Sequence, residues 1–551
     1  MKKSGAAIVI EALCRNGADT VFGYPGGAVL PIYDELYQNT HRINHVLCAH
    51  EQNAAHAADG YARVTGKPGV VIATSGPGAT NLVTGIANAY LDSVPLVAIT
   101  GNVAVPLLGR DSFQEVDITG ITQEIVKHNF AVSDVKDLNG ILDAAFKIAS
   151  SGRPGPVLVD IPKSIQTDVC EESQYTVQEL FFNDLPELDL TETLSLISSA
   201  ERPLIYSGGG VVSAGASYEL LTLAKRISAP VTFSMMGLTA LPADEPLNLG
   251  MCGMHGTGSS ANVFSKCDLV IALGVRFSDR ATGNTAKYKE GKKIIHVDID
   301  CAEINKNTSA DVELCGNVKT VLQQLLQKLP RTAHPEWEKE CAEAKKLDDL
   351  PMSDKLVPVT LLRKVASYCS ADTVVATDVG QHQMWTMQYF PFRTPRTLLT
   401  SGGLGTMGFG LGAAIGGCIA NDRKPTVLFT GDGSFGMSLH ELATAVSQKL
   451  PLVIVIFNNG VLGMVRQWQT MFYQKHYSHT TLNRKTDFVA LAKAFGADGR
   501  KITCLSELEN ALQKLPADTP LVLDCQLDMD EFVLPMIPPG GSVKDLITQR
   551  N

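Results

Sequence analysis

Short, unbroken apolar runs recur along almost the whole chain, each followed by a stretch of helical character. The clearest lie at 70–73, 96–99, 157–159, 269–273, 294–297, 427–429 and 452–457. A strand with one wet face alternates polar and apolar residues. A run that is apolar at every position must be covered on both faces, as a parallel strand between two layers of helices is. The chain is therefore expected to be α/β, built from doubly wound parallel sheets. At 551 residues it is too long for a single core. Two polar, charge-rich breaks interrupt the series, one after Gln166 and a longer one over 326–357 that carries His334-Pro-Glu-Trp337 and Lys345-Lys-Leu-Asp-Asp349. They divide it into three α/β domains expected at 1–170, 185–325 and 355–530, followed by a tail, 531–551.

The formal charge of −10 gives no footing for nucleic acid or an anionic membrane surface. No apolar stretch approaches the length of a membrane span. The start, Lys2-Lys3 then Ala6 to Ile10, has the outline of a secretion signal. Glu11 and Arg15 break it, and an amphipathic first helix fits better. The twelve cysteines are scattered, with no C-x-x-C pair. Reduced, buried thiols in a cytoplasmic protein are expected, and no zinc site.

The most informative local segment begins at Pro425. An apolar run breaks into Gly431-Asp-Gly-Ser434, a helical stretch follows at 439–448, and a second apolar run ends at Asn458-Asn459. This reads as one βαβ unit with Asp432 and Asn459 at the carboxyl ends of neighbouring parallel strands, where open α/β sheets bind ligands. A carboxylate and an amide oxygen, with glycines admitting close approach, suit Mg²⁺ shared with substrate phosphates. The glycine triplet alone would equally suit a tight turn; the Asn pair favours the metal–diphosphate reading. Upstream, Gly23-Tyr-Pro-Gly-Gly27 and Ser75-Gly-Pro-Gly-Ala79 flank His50-Glu51-Gln52. Among small residues Glu51 could be poorly solvated and fit for proton transfer. By itself it is better read as a helix N-terminal Glu complementing the dipole. In the middle of the chain, Gly208-Gly-Gly210 follows an apolar run and could admit a pyrophosphate, although no G-x-G-x-x-G is present. Gly274, Arg276, Arg280 and Asp298 lie beyond it, and ordinary loop chemistry accounts for them as well.

Together these pieces resemble the acetohydroxyacid synthases (biosynthetic acetolactate synthases), a family of thiamine-diphosphate enzymes. The resemblance covers essentially the full length. It rests on Phe22-Gly-Tyr-Pro-Gly-Gly27, His50-Glu-Gln52, Gly60-Tyr-Ala-Arg63, Thr74-Ser-Gly-Pro-Gly-Ala-Thr-Asn81, Phe113-Gln-Glu115 and Ser151-Gly-Arg-Pro-Gly-Pro156. It continues through Gly253-Met-His-Gly256, Asp378-Val-Gly-Gln-His382, Gly403-Leu-Gly-Thr-Met-Gly408, Gly463-Met-Val-Arg-Gln-Trp-Gln469 and Pro535-Met-Ile-Pro-Pro-Gly540.

The resemblance implies three domains of the thiamine-diphosphate-enzyme type: pyrimidine-binding, FAD-binding-like and diphosphate/Mg-binding. It implies thiamine diphosphate, Mg²⁺ and FAD as cofactors, and pyruvate with 2-ketobutyrate as substrates. Glu51 would hydrogen-bond the cofactor's aminopyrimidine and promote its imino tautomer. Asp432, Asn459 and the carbonyl of Val461 would hold the metal. Met407 would prop the cofactor in a bent shape, although a Met there also reads as core filling. Gly27, Gln114 and Lys163 match catalytic positions, the last two near the second substrate. Pro77, Gln381, His382, Gly405, Gly431, Gly433, Ser434 and Met464 match thiamine-diphosphate positions. Gly208, Gly209, Gly210, Met254, His255, Gly274, Arg276, Arg280, Asp298 and Ile299 match flavin positions. Arg280 and Trp468 match the pair that favours 2-ketobutyrate. The glutamate and the diphosphate site would come from different subunits, so a homodimer or homotetramer is implied; a small regulatory subunit is left open.

Several positions depart from the family's usual residues: Asn53, Asp59, Arg110, Ser112, Ser164 and Gly412, with Ser278 and Asn317 standing where acids are usual near the flavin. Arg276, Arg280 and Trp468 argue against the flavin-independent catabolic branch. Glu51 argues against glyoxylate carboligase. Intact Glu51, Asp432 and Asn459 argue against a silent paralogue serving as a scaffold. Pyruvate oxidase would need a redox-active flavin.

Overall fold

The computed structural model describes residues 2–171, 188–349, 353–515 and 517–549. The expected boundary between 170 and 185 therefore falls almost wholly outside the described residues. Three six-stranded sheets, parallel throughout, form the frame. The first holds β2 (Thr20–Tyr24), β3 (Asn44–Leu47), β4 (Gly69–Ala73), β5 (Leu96–Asn102), β6 (His128–Ala131) and β7 (Pro156–Pro162) in the order β3-β2-β4-β5-β7-β6. Beside it β1 (Lys2–Ser4) pairs antiparallel with β8 (Val169–Glu171), so the polar stretch after Gln166 begins as a strand. The second sheet holds β9 (Pro203–Ser207), β10 (Val231–Phe233), β11 (Asn248–Met251), β12 (Leu269–Leu273), β13 (Lys293–Asp298) and β14 (Val312–Cys315), ordered β11-β10-β9-β12-β13-β14. The third holds β15 (Val375–Thr377), β16 (Leu398–Leu399), β17 (Thr426–Gly431), β18 (Leu452–Asn458), β19 (Asp498–Ile502) and β20 (Leu521–Gln526), ordered β16-β15-β17-β18-β20-β19. The expected fold class is thus the observed one. Every residue of β4, β5, β7, β9, β12 and β17 is buried, which is what their unbroken apolar runs require.

The first helix, Gly5–Arg15, is amphipathic and is capped by the Ser4 hydroxyl accepting from Ala7 N–H. Two elements differ from the sequence reading. The helix after β17 begins at Asp432 itself, runs to Ser438, and continues as a 3₁₀ turn and a second helix to Ser447. Gly431 supplies the extended N-cap and the Ser434 hydroxyl accepts its N–H, so the glycines start a helix rather than separate a turn from one. The charge-rich break over 326–357 contains a helix, Pro335–Lys345, whose buried Trp337 donates from Nε1 to Pro203 O at 3.0 Å.

The first and third sheets meet through two helices, Glu51–Thr65 and Phe409–Ala420. They approach so closely that a Cβ on Gly60 or Gly416 would overlap the backbone of Ala413 or Ala57. Gly412 lies against Asn53 O in the same crossing, where a larger residue would collide. Cys301 and Cys315 are disulfide-bonded with Cα atoms 5.2 Å apart. This corrects the expectation of uniformly reduced thiols. The 14-residue spacing carries no signal, and only the adjacency of β13 and β14 brings the pair together.

Candidate active site

Each sheet presents its functional candidates at the carboxyl ends of its strands. In the first, Gly27 follows β2, Glu51 follows β3, Pro77 follows β4, Gln114 lies in the long connection after β5, and Lys163 follows β7. Gly26 and Thr74 pack so closely that a Cβ on Gly26 would overlap the Thr74 side chain, and the Thr74 hydroxyl accepts Ala28 N–H at 3.2 Å. Glu51 is the first residue of its helix, behind the N-cap His50, and is half-buried. The Asn81 amide donates to Glu51 Oε2 at 2.9 Å, and Gly78 leaves room beside Oε1. Glu51 thus heads a helix, as its plainer reading expects, and the Asn81 amide orients its carboxylate. Gln114 sits at φ +59 in a turn against Gly76, a left-handed conformation that costs a non-glycine residue energy. Lys163, Gly27 and Pro77 are exposed.

In the third sheet the switch in strand order falls between β15 and β17, and the candidates gather there. Asp432 is buried, and burial pushes its carboxyl up to about 6. Its Oδ2 accepts Gly460 N–H at 3.1 Å, so the two strand-end loops are joined. Asn459 Oδ1 accepts Val461 N–H at 3.2 Å, while its amide donates to Gln381 Oε1 at 3.4 Å. Gln381 is buried and anchored by donating to Gln467 Oε1 and Glu531 O. Gly463 is required beneath it, because a Cβ there would overlap the Gln381 amide. His382 is buried beside Gly431. Desolvation drives its ring down to about 3, so it is neutral, and its Nε2 has no partner among the described residues. A desolvated carboxylate, an amide oxygen on the next strand and an unpaired ring nitrogen make a fitting receptor for a cation carrying phosphate oxygens. No cluster of three or more His, Cys, Asp or Glu capable of holding a metal occurs among the described residues.

A cavity of about 1510 Å³ opens where the three domains meet, with Arg63, Asp92 and Arg153 of the first domain on its wall, and it is larger than an ordinary small-molecule pocket. Gly209, Gly210 and Gly274 line its floor. Gly274 has φ +57, and Cβ atoms on Gly208 or Gly210 would strike its backbone, so the ends of β9 and β12 close onto one another only as glycines. Met254, His255, Arg276, Asp298 and Ile299 also line it. Burial raises the Asp298 carboxyl to about 6 and, with Arg280 nearby, lowers the His255 ring to about 4. Across from them stand Gly405, Met407, Met464 and Trp468. Met407 is half-buried on the cavity wall rather than sunk in a core. The Arg280 guanidinium lies 5.7 Å from the Trp468 ring centre and donates to Met254 Sδ at 3.5 Å. The structure therefore brings Arg280 and Trp468 together. Gly27, Glu51, Pro77, Gln114 and Lys163 do not line this cavity.

Some contacts that build the site join residues far apart in sequence and show only in the fold. Glu441 is fully buried, and its Oε1 accepts Ala49 N–H at 3.0 Å and His50 N–H at 2.9 Å, fixing the turn that leads into Glu51. Asp378 is buried and accepts Val379, Gly408 and Gly410 N–H, folding the Met407 loop. Arg63 pairs with Asp59 and Asp92, and Asp92 accepts Gly402 and Gly403 N–H, lacing the first domain to the third. The departing residues are also used. Asn53 bonds His440 at 3.0 Å, Ser164 accepts Val105 N–H, and Asn317 caps the Val318–Lys328 helix through Lys319 N–H, a task an aspartate performs equally well.

Comparison with known proteins agrees with this layout. Residues 3–121 match the model for the thiamine pyrophosphate enzyme N-terminal TPP binding domain, 190–325 the central domain, and 378–525 the C-terminal TPP binding domain. The chain is 46% identical to the acetolactate synthase isozyme 2 large subunit of Escherichia coli K12, with 99% of each chain covered. It is 43% identical to a probable acetolactate synthase large subunit of Methanocaldococcus jannaschii (98% of this chain, 95% of the other). It is 42% identical to the isozyme 1 large subunit of Escherichia coli K12 (99% and 97%).

Proposed function

The chain belongs to the acetolactate synthase large subunits of the thiamine pyrophosphate enzyme family, and from that premise we infer how its own residues divide the work. The reaction is thiamine-diphosphate-dependent: pyruvate loses carbon dioxide, and the remaining two-carbon unit joins a second 2-keto acid, pyruvate or 2-ketobutyrate. The products are 2-acetolactate and 2-aceto-2-hydroxybutyrate, precursors in branched-chain amino-acid biosynthesis.

When bound, thiamine diphosphate supplies the electron sink for decarboxylation. Glu51, oriented by Asn81, exchanges a proton at its carboxylate with the pyrimidine ring. Asp432, Asn459 Oδ1 and the Val461 carbonyl would hold Mg²⁺ together with the diphosphate; Gly431, Gly433 and Ser434 would let the backbone approach it, with His382 and Gln381 nearby. Met407, with Gly405 and Met464, would line the wall that receives the cofactor. Gln114 and Lys163 face the second 2-keto acid from the rim of the first sheet, which also carries the catalytic position Gly27. Arg280 grips that acid's carboxylate while the Trp468 indole packs on the extra methyl of 2-ketobutyrate, a contact worth about 1–3 kcal/mol.

FAD fits the large cavity. The Gly208–Gly210 turn would receive its pyrophosphate, Asp298 and Ile299 its ribose, and Met254, His255, Gly274 and Arg276 its remaining length. Its role is to complete the cavity wall, with no net redox in the reaction. Membership of this family supports a site in which the glutamate and the diphosphate-holding residues come from different copies. The working unit is accordingly a homodimer or a homotetramer. The relatives' designation as large subunits supports a smaller regulatory partner. No helix among the described residues is long and apolar enough to cross a membrane, and we assign the enzyme to the cytoplasm.

The observation that carries this reading is Asp432 and Asn459 at the ends of the adjacent strands β17 and β18, in a chain matched end to end by acetolactate synthases. Glu51→Gln tests it: cofactor binding should persist while exchange of the bound cofactor's C2 proton slows severely. Near-normal exchange would refute the role given to Glu51.

A further inference from the structure

We propose that Cys301 and Cys315 are a reversible thiol–disulfide pair whose oxidation stiffens the middle-domain wall of the large cavity and tightens its hold on the dinucleotide. The inference rests on the reading of that cavity as a flavin site. Cys301 opens the 3₁₀ turn Cys301–Glu303 after β13, and Cys315 ends β14. The two Cα atoms stand 5.2 Å apart, within bonding reach without backbone movement. Cys301 is exposed and Cys315 only half-buried, so a small reagent reaches the pair from solvent.

Both ends of the bond carry cavity-lining residues. Asp298, Ile299 and Glu303 surround Cys301, and Asn317 and Val318 follow Cys315. The same corner is tied by Gly316 N–H to Asp298 O at 2.8 Å and by Asp300 N–H to Asp298 Oδ1 at 2.9 Å. From the first domain, Arg153 donates to Glu303 at 2.7 Å and Asp300 at 3.3 Å. When the pair is reduced, the turn is held by these polar contacts, by the β13–β14 ladder that ends at Asp298 opposite Cys315, and by Lys306 on Glu303. When it is oxidised, a covalent bond fixes Asp298 and Asn317 relative to one another, and a preorganised wall loses less freedom on binding.

The oxidant is a low-molecular-weight disulfide. The Cys301 thiolate attacks one of its sulfurs, forming a mixed disulfide and releasing one thiol. The Cys315 thiolate then attacks the Cys301 sulfur and displaces the second. Two protein thiols lose two protons and two electrons to make one S–S bond, and the reagent's disulfide gains both as two thiols.

The test equilibrates the full-length holoenzyme in glutathione buffers of graded ratio. Differential alkylation with peptide mass analysis reads the pair, amide hydrogen exchange reads 299–317, and fluorescence reads flavin release. Expected are reversible interconversion at Cys301 and Cys315, slower exchange at 299–317 in the oxidised form, and flavin release slowed at least about 5-fold. A Cys301→Ser/Cys315→Ser variant should be indifferent to the buffer in both exchange and release. A pair that stays unbonded at oxidising ratios, equal exchange in the two states, or equal flavin release would overturn the proposal. A protein that holds no flavin in either state would sink the flavin reading of the cavity, and the hydrogen exchange would still judge the pair.

Discussion

Replacing Glu441 by alanine should slow catalysis without touching any group that meets substrate. The carboxylate lies in the third domain yet accepts the Ala49 and His50 N–H groups at 3.0 and 2.9 Å, immediately before Glu51, and its other oxygen accepts the Thr444 hydroxyl at 2.6 Å. Burial pushes its pKa up, so the site tolerates the charge only through these donors. Hydrogen bonds to a charged acceptor contribute about 1.5–3 kcal/mol each when buried. Ala49 is exposed, however, and its N–H turns to water once the acceptor is gone. The net loss of positioning is therefore about 1–3 kcal/mol for the pair, or about a 5- to 150-fold fall in kcat. KM for pyruvate should change far less, because no pyruvate-facing residue moves. Glu441→Gln retains one oxygen acceptor and should recover much of the rate. Steady-state kinetics of both variants, with melting temperatures measured alongside, make the test. A Glu441→Ala enzyme that melts earlier but keeps kcat within twofold would refute the positioning argument and leave Glu441 a purely structural clip.

Trp468→Leu should bring the 10- to 200-fold range of preference for 2-ketobutyrate over pyruvate down to a few-fold while sparing acetolactate formation; an unchanged product ratio in competition would dismiss the indole's role. Asp378→Asn should flatten part of the pH dependence of stability. Burial raises the Asp378 carboxyl from 3.8 to about 6, so between those values the folded chain holds a proton that the unfolded chain releases. Its contribution is therefore fully present below about 4 and lost as pH rises through about 6, an amount of about 1–3 kcal/mol. Asp160 and Asp298 are raised in the same direction and remain in the variant. The readout is thus the difference between wild-type and variant melting temperatures across pH 4 to 7, and a pH-independent difference would contradict the assignment.

What the sequence revealed follows from how locally each feature is determined. Central strands such as β12 and β18 are covered on both faces, so burial writes an apolar residue at nearly every position. The edge strands β3 and β19 are half solvated; Asp498-Gly-Arg-Lys-Ile502 shows no apolar run, and only its pairing with β20 makes it a strand. The Asp432 helix was hidden because glycines that admit close approach look the same as glycines that break a helix. Asp432 and Asn459 were legible because each directly follows a strand in a recognisable motif, and Glu51 because His50-Glu-Gln52 carries the resemblance. Glu441 was not, and although Asp378 and Arg63 stand in motifs that carry the resemblance, their tasks were hidden too, since each acts on groups far away in sequence and nothing in its neighbours announces the partner. The Cys301–Cys315 bond belongs to the same class. The pairing of Arg280 with Trp468 was available only through resemblance; the structure supplies its physical basis, a guanidinium 5.7 Å from an indole ring centre in a shared cavity.

The most direct test of the central claim is product formation by the purified protein, with thiamine diphosphate and Mg²⁺, from equal pyruvate and 2-ketobutyrate, before and after FAD is stripped. The account predicts predominant 2-aceto-2-hydroxybutyrate, lost with the flavin and restored by its return. Acetolactate alone, formed at the same rate with or without FAD, would contradict it.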